Sequence, residues 1–293
     1  MQTRAFGNTG LNVTPLGFGA MHLNDLRVSE TEAGRLLNEV LDLGVNLIDT
    51  ARGYGLSEER IGRHLAHRRQ EFVLSTKVGY GLAGVPDWTY ACIVAGVEAA
   101  LARLRCDYLD IVHLHSCPLA VLQQGEVIRA LEDCARSGKL RVLAYSGDNA
   151  ELDWSIQSGR FGAVQTSISI CDQQSIPQRL KQLEAKGMGV IAKRPLAGSV
   201  WHSNARPEGY CEAHYWERWK TMQLDPQELD WNELALRFSA HLPGVASCIV
   251  GTGKLAHFKH NIETLARGPL EAQMQQHIRD AFVRHGDQWN GMI

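Results

Sequence analysis

The sequence predicts an α/β fold, a (β/α)8 TIM barrel with an N-terminal β-hairpin cap, and three observations carry that reading. Short apolar runs begin near Leu16, Val45, Phe72, Tyr108, Leu140, Ala163, Met188 and Ala246. Most are followed by a segment with helical spacing, which makes each run the strand of a βα unit. Eight such units within 293 residues suit a closed ring of parallel strands better than an open, doubly wound sheet. Pro, Gly and Ser never cluster into a long polar linker, so residues 1–293 are expected to form one domain.

Arg4-Ala5-Phe6 and Leu11-Asn12-Val13 flank Gly7-Asn8-Thr9-Gly10, a hairpin pattern expected to cap the amino end of the barrel. In the first helix Ser29 and Glu32 make a capping box, Leu36, Leu37, Val40 and Leu41 supply one apolar face, and Gly44 ends the segment. Val45-Asn46-Leu47-Ile48-Asp49 is then the second barrel strand. Later intervals have the length of βα units, except the much longer one between Met188 and Ala246, which must hold an insertion. That interval contains Trp201, Trp216, Trp219 and Trp231 with His202, Tyr210, His214 and Tyr215. Part of it is expected to wall a substrate pocket, with plain helix packing as the competing use, and Trp88 has the same two readings.

Composition excludes several classes. The 30 Lys and Arg nearly cancel the 32 Asp and Glu, for a net charge of −2. This speaks against a nucleic-acid binder and against a polyacidic tail protein. With 44 % hydrophobic and 21 % charged residues the chain can bury a large core and is not disordered. No stretch approaches about 18 uninterrupted apolar residues, and the first residues lack the apolar centre of a signal peptide, so no membrane association is expected and the location is cytoplasmic. Seven scattered cysteines without a CxxC pair fit a reducing compartment and small core residues.

In such a barrel, reacting groups sit at the carboxyl ends of strands and in the loops that follow. Asp49 ends the second strand and Tyr54 lies in the next loop, Lys77 ends the third strand, and Tyr108-Leu109-Asp110-Ile111-Val112-His113-Leu114-His115 supplies two histidines of one parity. An ordinary tyrosine, with a pKa of about 10, is a poor acid at neutral pH. A nearby ammonium stabilises its phenolate, a carboxylate keeps that ammonium charged and placed, and a neutral imidazole orients or relays the proton. Taken alone, an inward Asp and Lys could equally be a structural ion pair. His113 and His115 could also be two zinc ligands of a barrel hydrolase, although further ligands are wanting and no metal site is expected.

These residues fall into a wider pattern. Asp49-Thr50-Ala51 followed by Tyr54-Gly55, Ser57-Glu58 and Gly62 resembles the signature of the aldo-keto reductases. The likeness continues through Gly17-Phe18-Gly19, Ser75-Thr76-Lys77, Asp110 to His115, Gln165, Pro195-Leu196, Gly251-Thr252 and Asn261. It covers roughly residues 3 to 265 in one order. The resemblance implies an oxidoreductase that moves hydride between a nicotinamide cofactor and an aldehyde, ketone or sugar carbonyl, with a catalytic tetrad of Asp49, Tyr54, Lys77 and His115.

It also implies a cofactor site built from Gly19, Ser146, Gln165, Lys193, Arg194, Leu196, Gly251, Thr252, Gly253, Lys254, His257 and Asn261. The segment after the eighth strand resembles a barrel phosphate site at a helix start, where free N–H groups meet an anion. Lys254, His257 and Lys259 around that start suggest room for a 2′-phosphate, hence NADP rather than NAD, with a solvated basic turn as the bland alternative. Two positions depart from the family. The Asn usual after Ser146 is Gly147, and Lys193 stands where many members have a Tyr beneath the nicotinamide. An ammonium beneath the ring would disfavour its oxidised form, and the alternative is that Lys193 or Arg194 faces the pyrophosphate instead. The expected partner is a small carbonyl or alcohol substrate. An NAD-dependent sugar or alcohol dehydrogenase is the alternative, followed by a regulatory, cofactor-binding subunit like those of ion channels.

Overall fold

The computed structural model describes residues 1–286 and 288–293. A short hairpin opens the chain, with β1 (Arg4–Ala5) antiparallel to β2 (Asn12–Val13) and Arg4 opposite Val13. Eight parallel strands follow: β3 (Leu16–Gly19), β4 (Leu47–Asp49), β5 (Val73–Val78), β6 (Leu109–His115), β7 (Leu140–Ser146), β8 (Ala163–Ser167), β9 (Gly189–Lys193) and β10 (Ser247–Val250). They close in chain order, with β10 pairing to both β9 and β3. All eight predicted runs are therefore barrel strands. β4 starts two residues later than the apolar pattern suggests because Asn46 is diverted to the hairpin, its side chain accepting from Thr14 N at 2.7 Å and donating to Asn12 O at 2.9 Å.

Around the ring lie α1 (Glu30–Asp42), α2 (Ser57–Leu65), α3 (Tyr90–Leu104), α4 (Leu119–Gln124), α5 (Glu126–Arg136), α6 (Asn149–Ser158), α7 (Arg179–Ala185), α8 (Tyr210–Met222), α9 (Trp231–Ala240), α10 (Leu255–Ala266) and α11 (Ala272–His285). The predicted capping box holds: Ser29 Oγ accepts from Glu32 N, and the Glu32 carboxylate accepts from Ser29 N. No described helix is long and apolar enough to cross a membrane. The seven cysteines are free, and five of them are buried.

Strand parity divides the barrel into two cores. Outward residues such as Ile48, Leu74, Val112, Leu114, Val164 and Val190 pack beneath the helices. Inward residues at the strand starts, Leu47, Val73, Ile111, Val142, Ala163 and Ile191, fill the foot of the barrel together with Phe6, Leu11 and Val13 of the hairpin. Phe6 is fully buried, which contributes about 1.5–3 kcal/mol. Gly7 makes this plug possible: it has φ +55°, and a Cβ there would lie 2.4 Å from Gly187 O. Moving up the same inward rows, the side chains turn polar: Asp49, Ser75 and Lys77, His113 and His115, Ser146, Gln165, Lys193. Apolar foot and polar mouth are thus one periodicity read at two heights.

Candidate active site

Asp49 and Lys77, both about 1 % exposed, form an ion pair with Nζ 2.7 Å from Oδ2. Lys77 Nζ also donates to Thr50 O at 2.8 Å. The other carboxylate oxygen of Asp49 accepts from Ser75 Oγ at 2.8 Å and from Gln165 Nε2 at 2.9 Å. Burial opposes the ammonium, but the Asp49 carboxylate outweighs it and holds Lys77 above the ordinary lysine range. A charge fixed in this way cannot leave as the proton.

Lys77 Nζ lies 4.8 Å from the centre of the Tyr54 ring, and the His115 ring stands edge-on to Tyr54 at 6.1 Å. Three of the four tetrad candidates come from strand ends and Tyr54 from the β4–α2 loop, and the fold brings them together. Burial, reinforced by the Lys77 and Lys193 ammonium groups, pushes His115 down to about 3, so its imidazole is neutral at physiological pH. His115 Nδ1 is 2.9 Å from Tyr80 Oη, and the two rings stack at 5.4 Å.

His113 is fully buried, its Nε2 3.0 Å from Ser75 Oγ. Burial pushes it down to about 4. It serves the network below Asp49, and no group of three His, Cys, Asp or Glu able to hold a metal exists among the described residues.

A cavity of about 400 Å³ opens above this cluster, lined by Asp49, Tyr54, Gln165, Lys193, Arg194, Leu196 and Tyr215 among others. An adjoining cavity of about 370 Å³ shares Leu196, Ser199, Val250 and Gly251 with it and continues along Thr252, His257 and Asn261 to the start of α10. Gly19 and Gly251 form the floor between them, so close that a Cβ on Gly251 would lie 2.9 Å from Gly19 O. No side chain caps α10; Thr252 Oγ1 instead accepts from Lys254 N at 3.0 Å, and Gly253 and Lys254 are exposed. That uncapped helix start leaves N–H groups free, the arrangement an anion can meet.

The two departures from the expected pattern have physical partners. Lys193 Nζ is paired with the buried Asp148, 2.9 Å away, a partner the sequence does not announce. Arg194 donates to Ser167 Oγ at 3.1 Å and to Met292 O at 2.6 Å, which ties it to the C-terminal segment. Gly147 leaves no space for a side chain, since a Cβ there would lie 2.4 Å from Tyr145 Oη. Ser146 Oγ donates to Gln165 Oε1 at 3.2 Å, so these two side chains hold each other.

The aromatic insertion is mostly packing. Trp201 stacks on Trp231 at 5.9 Å and Trp219 meets Trp231 edge-on at 5.6 Å, whereas the wall beside Lys193 and Arg194 is made by Tyr215. Trp88 packs against Tyr80 at 5.7 Å. Three features escaped sequence reasoning. Tyr80 and Asp148 carry no local signal beyond residue type. Residues 288–293 reach the barrel mouth, where Asn149 binds Gly291 and Asp172 Oδ2 accepts from Met292 N at 2.9 Å.

Comparison with known proteins adds the family. The Aldo/keto reductase family model matches residues 15–282. The chain belongs to the aldo/keto reductase family. Like other aldo/keto reductases it is a nicotinamide-dependent oxidoreductase. An aldo-keto reductase from Bacillus halodurans, solved in its holo form, superposes with a TM-score of 0.84 at 30 % identity, covering 96 % of each chain. L-galactose dehydrogenase of Arabidopsis thaliana is 28 % identical over 279 residues, 89 % of this chain and 87 % of that protein. A probable voltage-gated potassium channel subunit beta of Oryza sativa is 37 % identical over 216 residues, 68 % of this chain and 65 % of that one.

The groove fits the group that aldo/keto reductases use. It has a polar end at Asp49 and Gln165, a close glycine floor and an anion site at the far end, as a dinucleotide requires.

Proposed function

We propose that this aldo/keto reductase is an NADP-preferring enzyme that reduces the carbonyl of an aldehyde, ketone or sugar, acting in the cytoplasm as a single domain of residues 1–293. The observation that carries the reading is the buried Asp49–Lys77 pair with its ammonium 4.8 Å from the Tyr54 ring, beneath two adjoining cavities that run to the start of α10. Gln165, Ser146, Lys193, Arg194 and Leu196 would hold the nicotinamide half, and Gly19, Gly251, Thr252, Gly253, Lys254, His257 and Asn261 the phosphates and adenosine. Lys254 and His257 at the uncapped start of α10 support the 2′-phosphate.

When bound, the reduced cofactor supplies hydride. The residues of the chain do the rest. Tyr54 gives its hydroxyl proton to the substrate oxygen as negative charge develops there. The Lys77 ammonium stabilises the phenolate left behind, and Asp49, anchored by Ser75 and Gln165, keeps that ammonium charged and aimed. Neutral His115 donates to the same oxygen and fixes its direction. Run in reverse, the same groups oxidise an alcohol; the similarity to L-galactose dehydrogenase supports a sugar dehydrogenase, with NAD as its cofactor, as the second reading.

Titrating the protein with NADPH and NADH side by side, followed by a panel of aldehydes, ketones and aldoses with the tighter cofactor, tests this. Tighter NADPH binding with turnover is expected. Equal affinities would remove the NADP preference, and binding without turnover would point to a regulatory subunit.

A further inference from the structure

The geometry points to Tyr80 as a positioning residue that fixes the tautomer of His115, donating its hydroxyl proton to Nδ1 so that the only ring N–H, on Nε2, faces the substrate oxygen. This rests on the reading of His115 as the group that orients the carbonyl.

A neutral imidazole carries one proton, and the partner of one nitrogen decides which nitrogen carries it. His115 Nδ1 has one neighbour within hydrogen-bond reach, Tyr80 Oη at 2.9 Å, and among the described residues Nε2 makes no hydrogen bond within the chain. Two arrangements satisfy that contact. If Nδ1–H donated to Tyr80, Nε2 would present a bare lone pair to the carbonyl oxygen and repel it. If Tyr80 donates, Nε2 carries the proton and attracts that oxygen. Burial raises Tyr80 above the ordinary tyrosine value, and the neighbouring Tyr54 hydroxyl adds to the effect, so the phenol keeps its proton.

The pose of Tyr80 is fixed from several sides. Its ring stacks on His115 with planes 24° apart. Trp88 packs against the same Tyr80 ring with centroids 5.7 Å apart, and its backbone N–H donates to Gly79 O at 2.8 Å. Gly79 has φ +142° and a Cβ there would lie 2.2 Å from the Trp88 ring, so only glycine lets the indole support the phenol. From the Tyr54 loop, Gly53 faces the phenol, and a Cβ added there would lie 3.5 Å from Tyr80 Oη. The β4–α2 and β5–α3 loops thus meet at the Tyr80 hydroxyl.

Nitrogen-15 NMR of the histidine side chains in the full-length protein tests the assignment, with His115→Asn identifying the resonances. In wild type, Nδ1 of His115 is expected as the unprotonated acceptor and Nε2 as the protonated nitrogen. Tyr80→Phe keeps the stacked ring and is expected to let the Nδ1–H form appear, with kcat falling about three- to tenfold, the factor a single hydrogen bond carries. The NADPH dissociation constant and the fold by circular dichroism should not move. A proton on Nδ1 in wild type, or the same tautomer in Tyr80→Phe, overturns the proposal. Tyr54→Phe assayed with the same carbonyl tests the underlying reading separately: full activity there would sink the proposed chemistry while leaving the measured tautomer standing.

Discussion

The Nζ of Lys193 lies 2.9 Å from Oδ2 of Asp148, and this pair, not a lone ammonium, is what the wall of the groove presents. Asp148 also accepts from Thr166 Oγ1 at 2.5 Å and Ser167 N at 2.9 Å. Burial opposes its ionisation, yet Lys193 and these donors together hold its carboxyl below the ordinary aspartate value. The pair is close to neutral as seen from the nicotinamide, so wild type should discriminate little by charge between reduced and oxidised cofactor. Asp148→Asn exposes the ammonium and should shift the ratio of NADPH to NADP⁺ dissociation constants toward the reduced form. Lys193→Met should shift it toward the oxidised form, and the double variant should return near wild type. Each single shift is expected at about three- to tenfold, since one charge several ångströms away at an effective dielectric near 20 is worth a few kcal/mol at most. Singles that move the ratio in the same direction would exclude this electrostatic role.

Tyr54→Phe removes the proton donor and should lower kcat by about 10²- to 10⁴-fold while leaving cofactor binding nearly unchanged. Steady-state kinetics where chemistry limits the rate decides it, and more than a tenth of wild-type kcat rejects Tyr54 as the acid.

Lys77→Met strips the positive charge from beside the phenol. The basic limb of the pH–rate profile should move to higher pH in whatever activity remains. The variant also leaves Asp49 charged and buried, with Ser75 and Gln165 as its remaining donors. Breaking such a pair costs about 3–5 kcal/mol, which a urea titration will report as a lower midpoint.

Lys254→Ala should weaken NADPH by about 1.5 to 3 kcal/mol, roughly 10- to 150-fold, and spare NADH. Fluorescence titrations with both cofactors check this. Equal loss for the two would assign Lys254 to the pyrophosphate or to the fold.

Asp172 is pushed up to about 7, first by burial and then by the nearby Asp148. Its folded state therefore holds a proton more tightly than the unfolded chain, where the ordinary value is 3.8. The associated stability is fully present below about pH 4, falls as pH rises, and is lost once pH passes about 7. Asp172→Asn cannot ionise and keeps an oxygen for Tyr215 and Met292. Its stability relative to wild type should rise by about 2–4 kcal/mol between pH 4 and 7 and stay level above. Urea denaturation at pH 5 and pH 8 gives the comparison, and a pH-independent difference would contradict the shifted carboxyl.

Strand positions and the Asp49, Lys77 and His115 cluster were legible because both follow from one local rule, the alternation of sides along a strand. Leu47 and Asp49, or Ile111, His113 and His115, declare their facing within a few residues. The Lys193–Asp148 pair obeys no such rule, because it joins a strand end to a helix cap from another βα unit, and only the curvature of the ring decides that they meet. Tyr80 is a single aromatic residue after a glycine, and its meaning depends on where His115 points. Residues 288–293 dock largely through main-chain groups to Asn149, Asp172 and Arg194, and the two apolar side chains that help, Trp289 and Met292, stand alone without a periodic pattern to announce it. The aromatic insertion divides between the two uses its sequence leaves open: its tryptophans Trp201, Trp219 and Trp231 pack on one another, and Tyr215 lines the cavity.

The crowding of Gly147 by Tyr145 ties the histories of the two positions together. The phenol occupies the volume into which any side chain at 147 would extend, and it stays there through packing on Phe161 at 6.2 Å and a 3.5 Å contact with the carbonyl of Cys117. An amide restored at 147 alone meets a filled space, and a small residue at 145 alone leaves a hole under the helices. The two sites are therefore best changed together, and libraries that sample these positions singly will miss the pairs that work.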